Sequence, residues 1–98
     1  MLTIDEIRAA VAPICERYGV ERMTLFGSYA RGEADELSDV DLMVKLGRPM
    51  GFEFFGLYGD IERALGIETD LLTTVGAGEK FLNKIAKDEV LIYARQTS

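Results

Sequence analysis

The chain has 98 residues, 48% of them hydrophobic, with 11 Lys and Arg against 17 Asp and Glu, no histidine and a formal net charge of −6. A chain of this size buries roughly two thirds of its unfolded surface, enough for one core, so a single domain over 1–98 is expected. The acidic balance argues against free nucleic acid, whose non-specific binding needs a basic surface, although a nucleotide could bind through metal cations.

In chain order, Thr3-Ile4-Asp5-Glu6 has capping-box spacing, with Thr3 as N-cap and Glu6 reaching back. Ile4, Ile7, Val11, Ile14 and Tyr18 follow at helical intervals and Gly19 can close the helix. Pro13 should bend or weaken it. Cys15 is the lone cysteine, which excludes an intramolecular disulfide or a thiolate zinc cluster, and its helical setting reads as a small buried hydrophobe. Val20 to Phe26 reads as a strand ending at Gly27, Ser28 to Gly32 as a short helix, and Glu33 to Ser38 as a polar loop.

A second strand runs from Val40 to Leu46 with Val40, Leu42, Val44 and Leu46 on one face, followed by a turn at 47–51. A helix over 52–65 should turn Phe54, Tyr58, Ile61 and Leu65 inward and stop at Gly66. The same helix carries Phe52 and Phe55, and either of them, if exposed, marks a docking surface. Ile67 to Thr73 reads as a third strand, Thr74 to Gly78 as a loop, and Glu79 to Asp88 as a helix with Leu82, Ile85 and Ala86 inward. Glu89 to Tyr93 adds a short last strand. The alternation predicts an α/β fold, helices packed on a small sheet, and the short connection from Arg31 to Asp39 suggests that the sheet is mixed. Asp5 and Glu6 stand where a signal peptide would be basic, and the apolar stretch Val90 to Ala94 is far short of a membrane span, so a soluble cytoplasmic protein is expected.

The chemistry concentrates in two places. Gly27 and Ser28 sit where a strand turns into a helix, a setting that lets backbone N–H groups approach a phosphate, and the Ser28 hydroxyl adds a donor. Arg31 follows one helical turn later and can reach the same phosphates. Asp39 and Asp41 stand two apart on a strand and so share a face, about 6.5–7 Å apart at Cα, which suits hard cations such as Mg²⁺. Ser38 would cap the loop or orient Asp39. A two-metal site usually needs a third acid, for which Asp70 is the first candidate and Glu68, of the same strand parity, the reserve. Singly, a Gly-Ser turn, an Asp-x-Asp on a solvated edge and an acid in a strand are ordinary features; their combination points to phosphoryl or nucleotidyl transfer.

Gly27, Ser28, Ala30, Arg31 and Gly32, followed by Ser38, Asp39, Asp41 and Leu42, resemble the nucleotidyltransferase superfamily that includes DNA polymerase beta, and more closely its minimal nucleotidyltransferases. Asp70 matches the third acidic position. The resemblance implies a polymerase-beta-like mixed-sheet fold, two Mg²⁺ ions on Asp39, Asp41 and Asp70, and ATP held by Gly27, Ser28, Arg31 and Ser38. It also implies a partner, a HEPN-type toxin whose side-chain hydroxyl would receive AMP, with the chain acting as antitoxin in a hetero-oligomer or homodimer. Two alternatives stay open: neutralisation of the partner by binding alone, and transfer to a small-molecule hydroxyl. At this length the chain is expected to leave the acceptor to a separate protein.

Overall fold

The computed structural model describes residues 1–96. The last two positions of the expected 1–98 domain, Thr97 and Ser98, lie outside the described residues. The elements are α1 (Ile4–Tyr18), β1 (Val20–Phe26), α2 (Gly27–Arg31), β2 (Val40–Leu46), α3 (Glu53–Leu65), β3 (Thr69–Thr73), α4 (Glu79–Ile85) and β4 (Val90–Ala94). Their order is the expected one. Thr3 caps α1 through the reciprocal bonds of a capping box: its hydroxyl accepts the Glu6 N–H at 3.1 Å and its own N–H donates to Glu6 Oε1 at 2.9 Å. The helix runs unbroken through Pro13, which lies on its exposed side, where water can serve the carbonyl that loses its donor.

The four strands lie in the order β3-β2-β1-β4, with β1 antiparallel to β2 and β4 and β2 parallel to β3. The sheet is therefore mixed. The parallel step needs a crossover, and α3 supplies it. Strand alternation gives the sheet two covered faces. Met23, Leu25, Val40, Leu42, Val44, Leu71 and Ile92 point toward α1 and α3, which contribute Ile7, Val11, Ile14, Cys15, Leu57, Ile61 and Leu65 to the main core. Phe26 and Met43 point to the other face, where Ile85 of α4 covers them and the Phe81 ring meets Phe26 edge-on at 5.7 Å. A polar staple joins α1 to α3: the Tyr18 hydroxyl donates to Asp60 at 2.7 Å, and Arg17 and Arg63 flank the same carboxylate.

Several expectations shift. The buried ridge of α3 is Leu57, Ile61 and Leu65, at intervals of four, while Phe54 and Tyr58 are half-buried beside it. Ala86 caps the end of α4 and is exposed, so only Ile85 of the expected trio is fully buried, with Leu82 packed beside it. That helix ends at Ile85 instead of Asp88, and β3 begins at Thr69 instead of Ile67. Phe52 and Phe55 are 90% and 72% exposed, with ring centroids 6.5 Å apart. This division of α3 has a measurable consequence. Leu57→Ala should lower the unfolding free energy by about 2–5 kcal/mol in chemical denaturation, whereas Phe55→Ala should change it by less than about 0.5 kcal/mol.

Candidate active site

At the end of β1 the chain leaves an extended Phe26 and enters α2 through Gly27 at φ +74°. A side chain there would be strained by that conformation alone. It would also have no room: a Cβ on Gly27 would fall on Asp41 Oδ2 and stand 3.2 Å from Asp41 Cγ. The turn is thus packed directly on a carboxylate. No side chain caps the start of α2, so its first amides are left for solvent or a ligand.

Asp41 is reached from both sides of β2. Phe26 is its partner on β1, and Asp70 is its partner on β3. The three residues form one row across neighbouring strands spaced about 4.8 Å apart. Asp41 lies between the buried Val40 and Leu42, and Asp70 between the buried Thr69 and Leu71, so both carboxylates project from the α4 face. Burial pushes the Asp41 carboxyl up to about 6, helped by its hydrogen bond with Asp70 and by the negative charges of Asp70 and Asp39, while Arg31 pulls it back down. A half-buried acid held beside two others is an arrangement that a cation would relieve.

The other expected site residues are placed unevenly. Asp39 sits in the connection ahead of β2, exposed, so the shared-face argument from strand spacing holds for Asp41 and not for Asp39. The cause is the turn before it. Ser38 donates its N–H to the Asp35 carbonyl at 3.1 Å and its hydroxyl accepts the Asp35 N–H at 2.9 Å, and pairing with β3 begins only at Val40. Of its two expected roles, Ser38 takes that of loop cap. Ser28 is half-buried on α2, and Arg31 is exposed one turn later with its Nε 3.2 Å from Glu33. Glu68 is exposed and precedes β3, and its carbonyl accepts the Val40 N–H at 3.1 Å. Tyr29, Ser38, Asp39, Ile67 and Glu68 line a cleft of about 530 Å³ to which none of Phe26, Asp41 and Asp70 contributes. Among the described residues, no three acidic, histidine or cysteine side chains converge into a metal-binding set.

One participant escaped the sequence reading. The Tyr58 hydroxyl donates to the carbonyl of Thr69, the residue before Asp70, and ties α3 to the start of β3. Its signal was available, since a tyrosine on the inner side of a helix needs a partner for its hydroxyl.

A family model described as polymerase beta, nucleotidyltransferase, matches residues 10–98. A provisionally named protein adenylyltransferase of Methanocaldococcus jannaschii is 35% identical over 91 residues, which span 92% of this chain and 92% of that relative. A protein adenylyltransferase of Thermococcus cleftensis, MntA, is 40% identical over 77 residues, 74% of this chain and 78% of its own. Among solved structures, a chain from a complex described as a tri-AMPylated Shewanella oneidensis HEPN toxin with MNT antitoxin shares the fold, with a TM-score of 0.72 at 14% identity over 95% of this chain and 74% of that one.

The raised Asp41 carboxyl has a consequence for stability. The folded state holds this proton more tightly than the unfolded chain does, so the group favours folding below its ordinary value of 3.8, and that contribution is lost as pH rises through about 6. In metal-free buffer, Asp41→Asn should therefore raise the melting temperature at pH 8 relative to the parent. At pH 4 most of the difference should vanish. Thermal circular dichroism at the two pH values checks both statements, and an equal shift at each would dismiss the electrostatic origin.

Proposed function

The chain belongs to the polymerase beta nucleotidyltransferase family, and we propose that it transfers AMP, or another nucleotide monophosphate, from a nucleoside triphosphate to a side-chain hydroxyl of a HEPN-type toxin and thereby acts as its antitoxin. The observation that carries the proposal is the row of Phe26, Asp41 and Asp70 with the Gly27 turn packed against it. The names of the Methanocaldococcus and Thermococcus relatives support transfer to a protein. The shared fold of the chain from the HEPN toxin complex supports the class of partner. We infer a cytoplasmic setting for this reaction, since its donor would be ATP.

Each residue then has a task. The Gly27 turn, Ser28 and the start of α2 present N–H and O–H donors to the triphosphate. Arg31 would exchange Glu33 for phosphate, a trade between two exposed partners that costs little. Ser38 keeps the loop before Asp39 in place. Asp41 and Asp70 suit a hard cation by their oxygen chemistry and unrelieved charge, and Asp39 would join them around two Mg²⁺ ions. Bound Mg²⁺ would neutralise phosphate charge and make the acceptor hydroxyl more acidic. Asp70 lies on the edge strand, open to an incoming protein, and accepts the proton of the attacking hydroxyl. The hydroxyl oxygen bonds to the α-phosphorus, the bond from that phosphorus to the bridging oxygen breaks, and pyrophosphate leaves.

A second reading is neutralisation by binding alone. It is favoured by the exposed Phe52 and Phe55, which offer a partner an apolar surface outside the acidic row. One experiment separates the two. With labelled ATP and Mg²⁺ the purified chain should label its HEPN-type partner, and Asp39→Asn combined with Asp41→Asn should abolish labelling. Full neutralisation of the partner by that double variant would favour binding alone. Labelling that persists in the double variant would overturn the metal assignment.

A further inference from the structure

Next to the site, the free edge of β3 forms the floor of an apolar groove. The Glu68 carbonyl and the Thr74 N–H bond to β2, each at 3.1 Å, so the alternate residues Leu71 and Thr73 turn their backbone N–H and C=O away from the sheet. Phe54 of α3 rises on one side of this edge and Phe81 of α4 on the other, and with Leu72, Thr73 and Gly78 they enclose about 480 Å³. A second cleft of about 690 Å³ shares Phe54 and Thr73 and continues to the exposed Phe55 and Val75. At the opposite end of β3 the Thr69 carbonyl is already taken by Tyr58, so the open stretch of edge starts beside Asp70.

We propose that this edge receives the acceptor segment of the partner protein as a short added strand, with the target hydroxyl beside Asp70 and an apolar side chain two residues away in the pocket of Leu72, Phe54 and Phe81. The inference rests on the protein-acceptor reading above. Outward backbone donors and acceptors at strand spacing, between apolar walls, match an extended polypeptide and neither a nucleic acid nor a small molecule. The spacing follows from the strand itself. Asp70 and Leu72 lie on one face two residues apart, about 6.5–7 Å, so a paired strand places its hydroxyl and its apolar residue at the same interval. Charge narrows the occupant further. Glu68 is exposed at the site end of the groove with no cation within ion-pair distance among the described residues, which selects a basic side chain near the hydroxyl.

Gly78 offers a direct test, because a Cβ there meets nothing within 4 Å and its φ of −73° suits any residue. Gly78→Trp should fill the groove without disturbing the fold, and Leu72→Lys should place a charge on its wall. Each should raise the KM for the acceptor protein about tenfold and leave the KM for ATP unchanged. A photo-crosslinking residue at Val75 should capture a segment within a few residues of the modified hydroxyl. Parental acceptor KM in both variants, or capture of a segment remote from that hydroxyl, would overturn the proposal. If the parent chain labels no partner, the adenylylation reading fails by itself. The crosslink from Val75 then decides the docking: one extended segment captured supports it, and none captured overturns it.

Discussion

The contact between the Gly27 backbone and the Asp41 carboxylate is the constraint on which the rest of the site depends. Any side chain at position 27 would occupy the space of Asp41 Oδ2, so the Gly27 turn and the acidic row cannot be moved apart independently. The sheet fixes their distance, since Phe26 and Asp41 are partners across two antiparallel strands. Close-packed interiors transmit such constraints rigidly, and here the main core under β1 and β2 holds both strands from below. The geometry that seats the Gly27 turn against the Asp41 carboxylate is thus a property of the fold and not of a flexible loop.

The two faces of the sheet divide the labour. Stability resides mainly between the sheet and the α1–α3 layer, where the fully buried aliphatic residues lie. The face under α4 carries a smaller cluster of Phe26, Met43 and Ile85, with the Asp41 and Asp70 carboxylates beside Phe26. Leaving charges unpaired costs stability, and the raised Asp41 carboxyl records that cost. A half-covered face can hold such a site because the other face supplies the folding energy.

Much of this was legible from residue order. The capping box, the alternating strand β2 and the turn at Gly27 each depend on local chemistry, so the sequence displays them directly. The adjacency of Asp41 and Asp70 could be guessed only because each interrupts an apolar strand; the parallel pairing that makes them neighbours is non-local. Errors arose where two local rules competed. The aromatic residues Phe54 and Tyr58 looked like the buried ridge of α3, but Leu57 fits the space under the sheet and leaves them at the margin. Asp39 looked like a strand residue by its spacing from Asp41, yet the Asp35–Ser38 turn holds the chain out of the sheet until Val40. The hydrogen bond from Tyr58 to Thr69 joins two elements that no short-range pattern connects.

The row across β1, β2 and β3 also bears on how the molecule comes into being. Its members, residues 26, 41 and 70, are far apart in the chain, and contacts of that kind form slowly because long loops must close first. A nascent chain emerging from the ribosome has the Gly27 turn and the β1–β2 hairpin early, but it lacks Asp70 until β3 has cleared the exit and docked in parallel. Truncated products ending before that strand would expose the Gly27 turn without its outer carboxylate, and so could not complete the proposed site. Activity at the proposed site would therefore report that most of the polypeptide has been made and folded.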